Sequence, residues 1–251
     1  MAKNVKYILY TSSVNAKDKV GAYGITKRQA EDLVLEANGR QLPNGQRLRT
    51  CALRPIAMFG EGDVSLVLNG LRNIRGGTFT RVGDDEAQFQ VAYAGNVAWA
   101  FVKAIRRLRE TDQSGGSAGG SGKVVEHLID PAGHAVTIAD DTPITSYNRF
   151  MEYFVVQNGG KMTNYYLPFW MLHVLASLCE WLSYLLRPVY TLRSPLSKMA
   201  ITSMQGFQIV DGHEAKRYLG YKPLYSADEV RPGCLRYYKY KYGVKGQTKS
   251  D

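Results

Sequence analysis

Three side chains early in the chain have the types and spacing that can remove a proton from an alcohol. Tyr23 and Lys27 are four residues apart and would share one face of a helix, and Ser12 and Ser13 precede them. A free phenol ionises only near about pH 10, and a lysine ammonium close by favours the phenolate. A phenolate can take the proton of an alcohol while a hydride leaves its carbon, and a serine hydroxyl can hold the same oxygen. The pattern therefore predicts an alcohol-oxidising site.

A strand, a helix and a second strand are predicted to position these side chains. Residues 5–10 (VKYILY) are apolar and rich in β-formers, which predicts a buried strand. Apolar residues at helical spacing predict a helix over 23–37, and Gly39 ends it. Residues 48–53 (LRTCAL) predict the next strand, which ends at Pro55. The order predicts a parallel βαβ unit.

Further elements are predicted along the rest of the chain. Apolar periodicity predicts helices over 64–74, 95–108 and 145–158, and extended segments over 89–93, 124–129 and 135–138. Between them, residues 59–63 (FGEGD) predict a turn-rich loop and 114–122 (SGGSAGGSG) a flexible linker.

Residues 167–186 are the most apolar stretch and would form a helix about 30 Å long. His173, Ser177, Glu180 and Tyr184 fall at spacings of four, three and four, so a polar stripe would run along one side. Glu180 would be costly in the middle of a span, whereas a helix lying in a membrane interface with this stripe outward avoids the cost. The pattern favours the interfacial helix. A true span and a packed helix of a soluble lobe are the alternatives.

The overall charge suits an anionic partner. The chain has 32 lysines and arginines against 22 acidic residues, a net charge of +10. Basic residues alternate with tyrosines over 236–249, which fits a headgroup layer or a solvated surface, and without a nucleic-acid motif we expect no nucleic-acid partner. The three cysteines are far apart, which indicates neither a disulfide framework nor a metal site. No apolar signal segment is seen at 1–6.

The combined motifs resemble a known class. TSS at a strand end, YxxxK at a helix start and LRP at the next strand end resemble the extended short-chain dehydrogenases. By that resemblance Tyr23 is the general base, and Lys27 favours its phenolate and holds the nicotinamide ribose. Ser13, rather than Ser12, binds the substrate oxygen, and Pro55 joins Tyr23 and Lys27 in the cofactor-binding set.

Five longer segments resemble the 3β-hydroxysteroid dehydrogenase/isomerase family, in that family's order. They are 50–63 (TCALRPIAMFGEGD), 93–104 (YAGNVAWAFVKA), 140–147 (DDTPITSY), 185–195 (LLRPVYTLRSP) and 221–226 (YKPLYS). The resemblance implies oxidation of the 3β-hydroxyl of Δ5-steroids with NAD, followed by a shift of the double bond to Δ4. It also implies a sterol partner, association with the endoplasmic reticulum or mitochondrial membrane, and an assembly of identical chains. Asp140 or Asp141 would move the proton in the isomerase step, and a helix-cap or turn aspartate is the alternative.

The fold expected from this resemblance is α/β, with a partial Rossmann-type parallel sheet and a mostly helical substrate-binding lobe that includes a membrane-associated helix. Residues 1–110 would be the remaining part of the Rossmann-like catalytic domain and 111–123 a Gly/Ser-rich loop. Residues 124–251 would form the substrate lobe, with the 167–186 helix and the basic tail.

The phosphate-binding glycine turn of a Rossmann domain is not found where this family places it. No GxxGxxG follows a first strand, and the glycines of 114–122 follow a helix instead. We therefore expect the first strands and helices to be missing, a shortened link from Ser13 to Tyr23, and weak or no NAD binding by the isolated chain. A non-catalytic, membrane-attached sterol- or partner-binding remnant is the alternative. A sterol-4-carboxylate dehydrogenase is a neighbouring enzyme class, while the 167–186 helix disfavours a nucleotide-sugar epimerase.

Overall fold

The structure, a computed structural model, describes residues 4–19, 21–74, 76–113, 128–186, 201–202, 204–205 and 209–243. Its helices are α1 (Val14–Lys17), α2 (Gly21–Glu36), α3 (Val67–Arg72), α4 (Ala94–Gln113), α5 (Tyr147–Gln157), α6 (Phe169–Leu186), α7 (His213–Leu219) and α8 (Ala227–Tyr242). Its strands are β1 (Tyr7–Thr11), β2 (Arg49–Pro55), β3 (Ala57–Phe59), β4 (Thr78–Val82), β5 (Val91–Tyr93), β6 (Ala135–Ile138) and β7 (Lys161–Leu167).

A three-stranded parallel sheet with the order β1-β2-β6 carries the candidate site. In its register Thr11 of β1 lies beside Leu53 of β2, and Leu53 lies beside Val136 of β6. The central strand β2 is buried on both faces, as expected for a parallel strand covered by helices. Since β1, α2 and β2 follow one another and both strands run in the same direction, the predicted βαβ unit is confirmed.

Helix α4 covers the sheet with a stripe of small and aliphatic residues. Val97, Ala100, Ala104 and Leu108, at spacings of three and four, are buried in the same cluster as the strand residues. The small alanines let the helix approach the sheet closely, and α7 adds Leu219 to this core.

An ion pair joins the start of β2 to the segment before β6. Arg49 Nη2 donates to both carboxylate oxygens of Asp130 at 2.7 Å, and Thr111 Oγ1 donates to Asp130 at 2.9 Å. Burial by itself would raise the pKa of Asp130, but the Ala132 N–H, Arg49 and Thr111 outweigh it and hold the pKa below its ordinary value.

The chain divides into two compact units that are interleaved along the sequence. Unit 1 consists of Met1–Met58, Val91–Thr142 and Val210–Ser226. Unit 2 consists of Phe59–Gln90, Pro143–Ile209 and Ala227–Asp251. The sequence pattern instead predicts consecutive segments, with boundaries at 110 and 123.

Unit 2 contains a parallel pair of strands, β4 and β7, together with α3, α5, α6 and α8. Asn148 on α5 fixes the end of β4, because its side chain accepts from Val82 N at 2.8 Å and donates to Val82 O at 2.9 Å. The next turn contains Asp85 at a φ of +70°. Its carboxylate accepts from Ser146 Oγ at 2.6 Å and from Asn148 Nδ2 at 2.7 Å. These bonds hold a backbone conformation that few residues other than glycine adopt.

Most predicted elements are present, with shifted ends. The segment over 135–138 coincides with β6, and the helices over 64–74, 95–108 and 145–158 correspond to α3, α4 and α5. The strands β4 and β7 were not predicted, and much of the basic tail is helical in α8. Of the extended segment 124–129 only 128–129 are described, and these are not in a strand. Residues 114–122 and the end of the 185–195 motif lie outside the described residues.

The orientation of α6 differs from the prediction. The helix packs through Leu172 and Ala176, while Val174, Leu178 and Trp181 on the opposite side are exposed. Of the predicted polar stripe, Glu180 and Tyr184 are exposed, whereas His173 and Ser177 are half-buried, so the stripe is only partly outward. No helix in the described part of the chain is both long enough and apolar enough to cross a bilayer.

Candidate active site

The serines stand where β1 ends, at the carboxyl edge of the sheet. Ser12 N donates to Leu53 O at 2.7 Å, which ties the turn to the neighbouring strand. Ser13 is the N-cap of α1, and its Oγ accepts from Asn15 N at 3.3 Å. Ser12 is buried, whereas Ser13 is half-buried. Ser13 therefore presents the more accessible hydroxyl, and its own hydrogen remains available to donate.

Helix α2 brings Tyr23 and Lys27 to the same edge. Lys27 Nζ donates to Thr11 O, the last carbonyl of β1, at 2.9 Å. The same ammonium lies 5.9 Å from the centre of the Tyr23 ring and 5.2 Å from that of Tyr10. Tyr23 is 42% exposed, and its hydroxyl makes no hydrogen bond to any described residue. The phenol is thus beside a cation and open to a ligand.

Gly24 allows α2 to lie against α1. A β-carbon at this position would be 2.5 Å from Asn15 O and 3.0 Å from the carbonyl carbon of Lys19, both backbone atoms. The helix that holds Tyr23 therefore approaches the turn after β1 at a distance that only glycine permits.

A buried ion pair, which the sequence analysis did not foresee, connects α2 to the end of β2. Glu31 is fully buried, and its carboxylate accepts from Arg54 Nε at 2.8 Å and also from Arg54 Nη2. Burial opposes ionisation, but Arg54 and the neighbouring Ser12 hydroxyl outweigh it, so the pKa of Glu31 is lowered. The only available signal was that Glu31 continues the four-residue spacing of Tyr23 and Lys27.

Pro55 ends β2 one strand away from the serines. It is buried and lies beside Ile138 in the register of β2 and β6. Its assignment to the cofactor-binding set stays a prediction.

The Asp140 carboxylate accepts hydrogen bonds from residues at the start of α4 and from its own turn. It accepts from Tyr93 N and Asn96 Nδ2, each at 2.8 Å, and from Thr142 N at 3.0 Å. This arrangement is the turn aspartate considered as the alternative to a proton shuttle. Asp141 is exposed. Among the described residues, no group of three or more histidine, cysteine or acidic side chains could hold a metal ion.

Comparison with known proteins identifies relatives of the sequence. Residues 14–169 match the model of the 3-beta hydroxysteroid dehydrogenase/isomerase family. The chain is 32% identical over 220 residues to the Mus musculus protein named 3 beta-hydroxysteroid dehydrogenase type 7. This match covers 86% of the chain but 55% of the mouse protein, so the chain spans about half the length of this curated relative.

Solved structures with the same fold are more distant in sequence. An epimerase from Methanothermobacter thermautotrophicus has a TM-score of 0.60 at 13% identity, over 96% of this chain and 61% of the epimerase. A UDP-glucose 4-epimerase from Thermotoga maritima has a TM-score of 0.56 at 17% identity, over 95% and 65%. The protein RMD from Pseudomonas aeruginosa, solved with NADPH, has a TM-score of 0.54 at 13% identity, over 93% and 66%. At these identities the matches show a Rossmann-like α/β fold alone.

Proposed function

The chain belongs to the 3-beta hydroxysteroid dehydrogenase/isomerase family, and on that premise we propose that it supplies the proton-transfer site of a steroid oxidoreductase. The reaction proposed is oxidation of the 3β-hydroxyl of a Δ5-steroid. The observation that carries it is the placement of Lys27 on the Thr11 carbonyl beside the open Tyr23 phenol, at the carboxyl edge of a parallel sheet. Ligands of α/β sheets bind at this edge.

Each side chain has a distinct part in this step. In the proposed step the phenolate of Tyr23 takes the proton of the steroid hydroxyl, with the Lys27 ammonium 5.9 Å from the centre of its ring. Ser13 donates its free hydrogen to the same oxygen and orients it. NAD, when bound, supplies the acceptor for the hydride. The residues present fit the ribose and nicotinamide end of that cofactor, because Lys27 uses one of its three N–H groups on Thr11 and keeps two for a ligand.

The test is an assay of NADH formation from a 3β-hydroxy-Δ5-steroid, made in membranes with the upstream fusion described in the next paragraph. Tyr23→Phe removes only the phenolic oxygen, and the matched control is Tyr240→Phe, at a tyrosine that is 90% exposed on α8. Turnover should be lost in Tyr23→Phe and kept in Tyr240→Phe.

Nucleotide binding needs a separate arm of the same assay. We expect weak NAD binding by the chain alone, and turnover once the part of the mouse relative outside the matched 220 residues is fused upstream. Activity of the chain alone would refute the weak-binding expectation. Inactivity of the fusion would contradict the enzyme and favour a non-catalytic sterol- or partner-binding protein. Isomerisation, the choice of steroid and assembly of identical chains stay predictions.

We also propose that α6 docks on a membrane surface without crossing it. Its outer side presents Trp170, Val174, Leu178 and Trp181, with exposed fractions from 53% to 68%. An apolar helix face with interfacial tryptophans can insert between headgroups and acyl chains, and a net charge of +10 favours anionic lipid. Such docking would fit the predicted location at the endoplasmic reticulum or mitochondrial membrane.

Sedimentation with anionic phospholipid vesicles tests the docking. Leu178→Glu places a charge in the centre of the exposed face of α6 and should lower the bound fraction at least several-fold. Leu33→Glu is the matched control, because Leu33 is an exposed leucine on α2 at 68%. Equal binding of the two variants would contradict docking through α6.

A further inference from the structure

We propose that the buried pair of Glu31 and Arg54 is a positioning device that sets where Tyr23 lies, and this inference rests on the proposed function. Tyr23, Lys27 and Glu31 follow one another at four-residue spacing on one side of α2. A helix that is held at two points along this line has its rotation and its height above the sheet fixed. The third side chain, Tyr23, is then fixed as well.

The two points of attachment are on neighbouring strands. Lys27 contacts the end of β1 through the Thr11 carbonyl at 2.9 Å. Glu31 contacts the end of β2 through Arg54, with Nε at 2.8 Å from Oε2. Tyr23 itself makes no hydrogen bond with the described residues, and its ring has the Lys27 ammonium 5.9 Å from its centre. Its position depends on the two attachments further along the helix.

The chemistry of the pair suits placement better than stability. The side chain of Glu31 is 0% exposed and that of Arg54 12% exposed. Two parallel N–H donors on a carboxylate define a distance and an angle, which a single ammonium does not. Buried ion pairs often stabilise a fold no better than apolar residues of similar volume, because both charges lose their hydration. If packing were the only role, an apolar pair would serve equally well.

The experiment replaces the pair by apolar residues of similar length, Glu31→Leu with Arg54→Met. The matched control is Asp32→Leu with Arg28→Met, which removes the half-buried ion pair of 2.7 Å on the same helix. Arg28 Nε also lies 3.9 Å from Glu31, so the control asks whether the Arg54 contact in particular matters. Each variant is first checked for an unchanged circular dichroism spectrum and melting temperature.

Two readouts separate this inference from the proposed function. In the active fusion, loss of placement should lower kcat about 100-fold, with a change in KM of less than about 3-fold, since misplacement by about 1 Å can cost this much. Independently of activity, the chain is labelled with ring-13C tyrosine, and the Tyr23 signal is assigned by its loss in Tyr23→Phe. That signal should shift in the Glu31/Arg54 variant and stay in place in the Asp32/Arg28 variant.

The outcomes are distinct. The fusion could be inactive while the Tyr23 signal still shifts only in the Glu31/Arg54 variant. This result would contradict the proposed function and support the positioning role. A folded Glu31/Arg54 variant with wild-type kcat, or with an unmoved Tyr23 signal, would overturn the positioning role. If the apolar pair does not fold, Arg54→Lys takes its place, since it keeps the charge and loses the two-pronged contact. In that case a shift of the Tyr23 signal in Arg54→Lys supports the positioning role, and an unmoved Tyr23 signal overturns it.

Discussion

Replacing Gly24 with alanine should destabilise unit 1 and disturb the helix that holds Tyr23. The added methyl carbon would lie 2.5 Å from Asn15 O and 3.0 Å from the carbonyl carbon of Lys19. Alanine is intrinsically better than glycine inside a helix by about 1 kcal/mol. Forcing an atom into filled space costs typically about 1–3 kcal/mol. Because backbone atoms cannot rotate away as a side chain can, we expect the overlap to outweigh the propensity, with a net loss of about 1–2 kcal/mol.

Urea unfolding followed by circular dichroism measures this loss. With a slope of about 2 kcal/mol per molar urea, the midpoint should fall by about 0.5–1 M. Gly70→Ala is the matched control, since a β-carbon at Gly70 in α3 would meet Met151 Cε at 2.3 Å. Met151 is fully buried, but this atom is the far end of a flexible side chain rather than backbone, so Gly70→Ala should lower the free energy of unfolding by less than Gly24→Ala does.

The local readout is hydrogen exchange of peptides spanning residues 14–36, which should lose protection in Gly24→Ala alone. A Gly24→Ala protein with wild-type stability and protection would show that the close approach of α1 and α2 is wrong. Equal losses in the two variants would refute the distinction between rigid backbone and movable side chain.

Three further predictions concern other parts of the fold. Asp85→Ala should destabilise unit 2 by about 1–3 kcal/mol in urea unfolding, because two hydrogen bonds are lost at a positive φ, whereas Asp85→Asn should cost less. Burial raises the pKa of Cys51 and of Cys234 to about 12, so mass spectrometry after brief maleimide treatment at pH 8 should find Cys179 modified first; early labelling of either buried thiol would contradict their packing. The lowered pKa of Asp130 contributes stability above about pH 4 that is lost as pH falls through the folded value. Asp130→Asn should therefore flatten the acid limb of a stability–pH curve, and an unchanged limb would count against this ion pair.

The shared helix face of Tyr23 and Lys27 could be predicted, because it depends only on residues close together in the sequence. A four-residue spacing gives one helix face, and apolar runs on either side give the strands. The Glu31–Arg54 pair could not, because a charged side chain in a sequence normally indicates solvent, and its burial depends on contacts between segments 23 residues apart.

The strands β4 and β7 were missed for a related reason. TFTRV and KMTNYYL are short and mixed in polarity, and they pair across about eighty residues, so neither has a strong pattern of its own. The exposed apolar side of α6 was not predicted, because apolar residues were expected to be buried in protein or lipid. In the structure only Leu172 and Ala176 are buried among the described side chains of this helix, and Val174, Leu178 and Trp181 are exposed together with Glu180 and Tyr184.

The interleaving of the two units has a consequence for biosynthesis. Unit 1 needs three separated stretches, and its last one, Val210–Ser226, brings α7 to β6 and α4. During translation unit 1 therefore cannot be completed until about residue 226 has left the ribosome. The first stretches of unit 2 have emerged before that point. At about 5–20 residues per second, several seconds or more pass between the synthesis of β2 and that of residue 226. For that time β1 and β2 lack α7, and a chaperone that covers apolar strands would have its substrate in this nascent state.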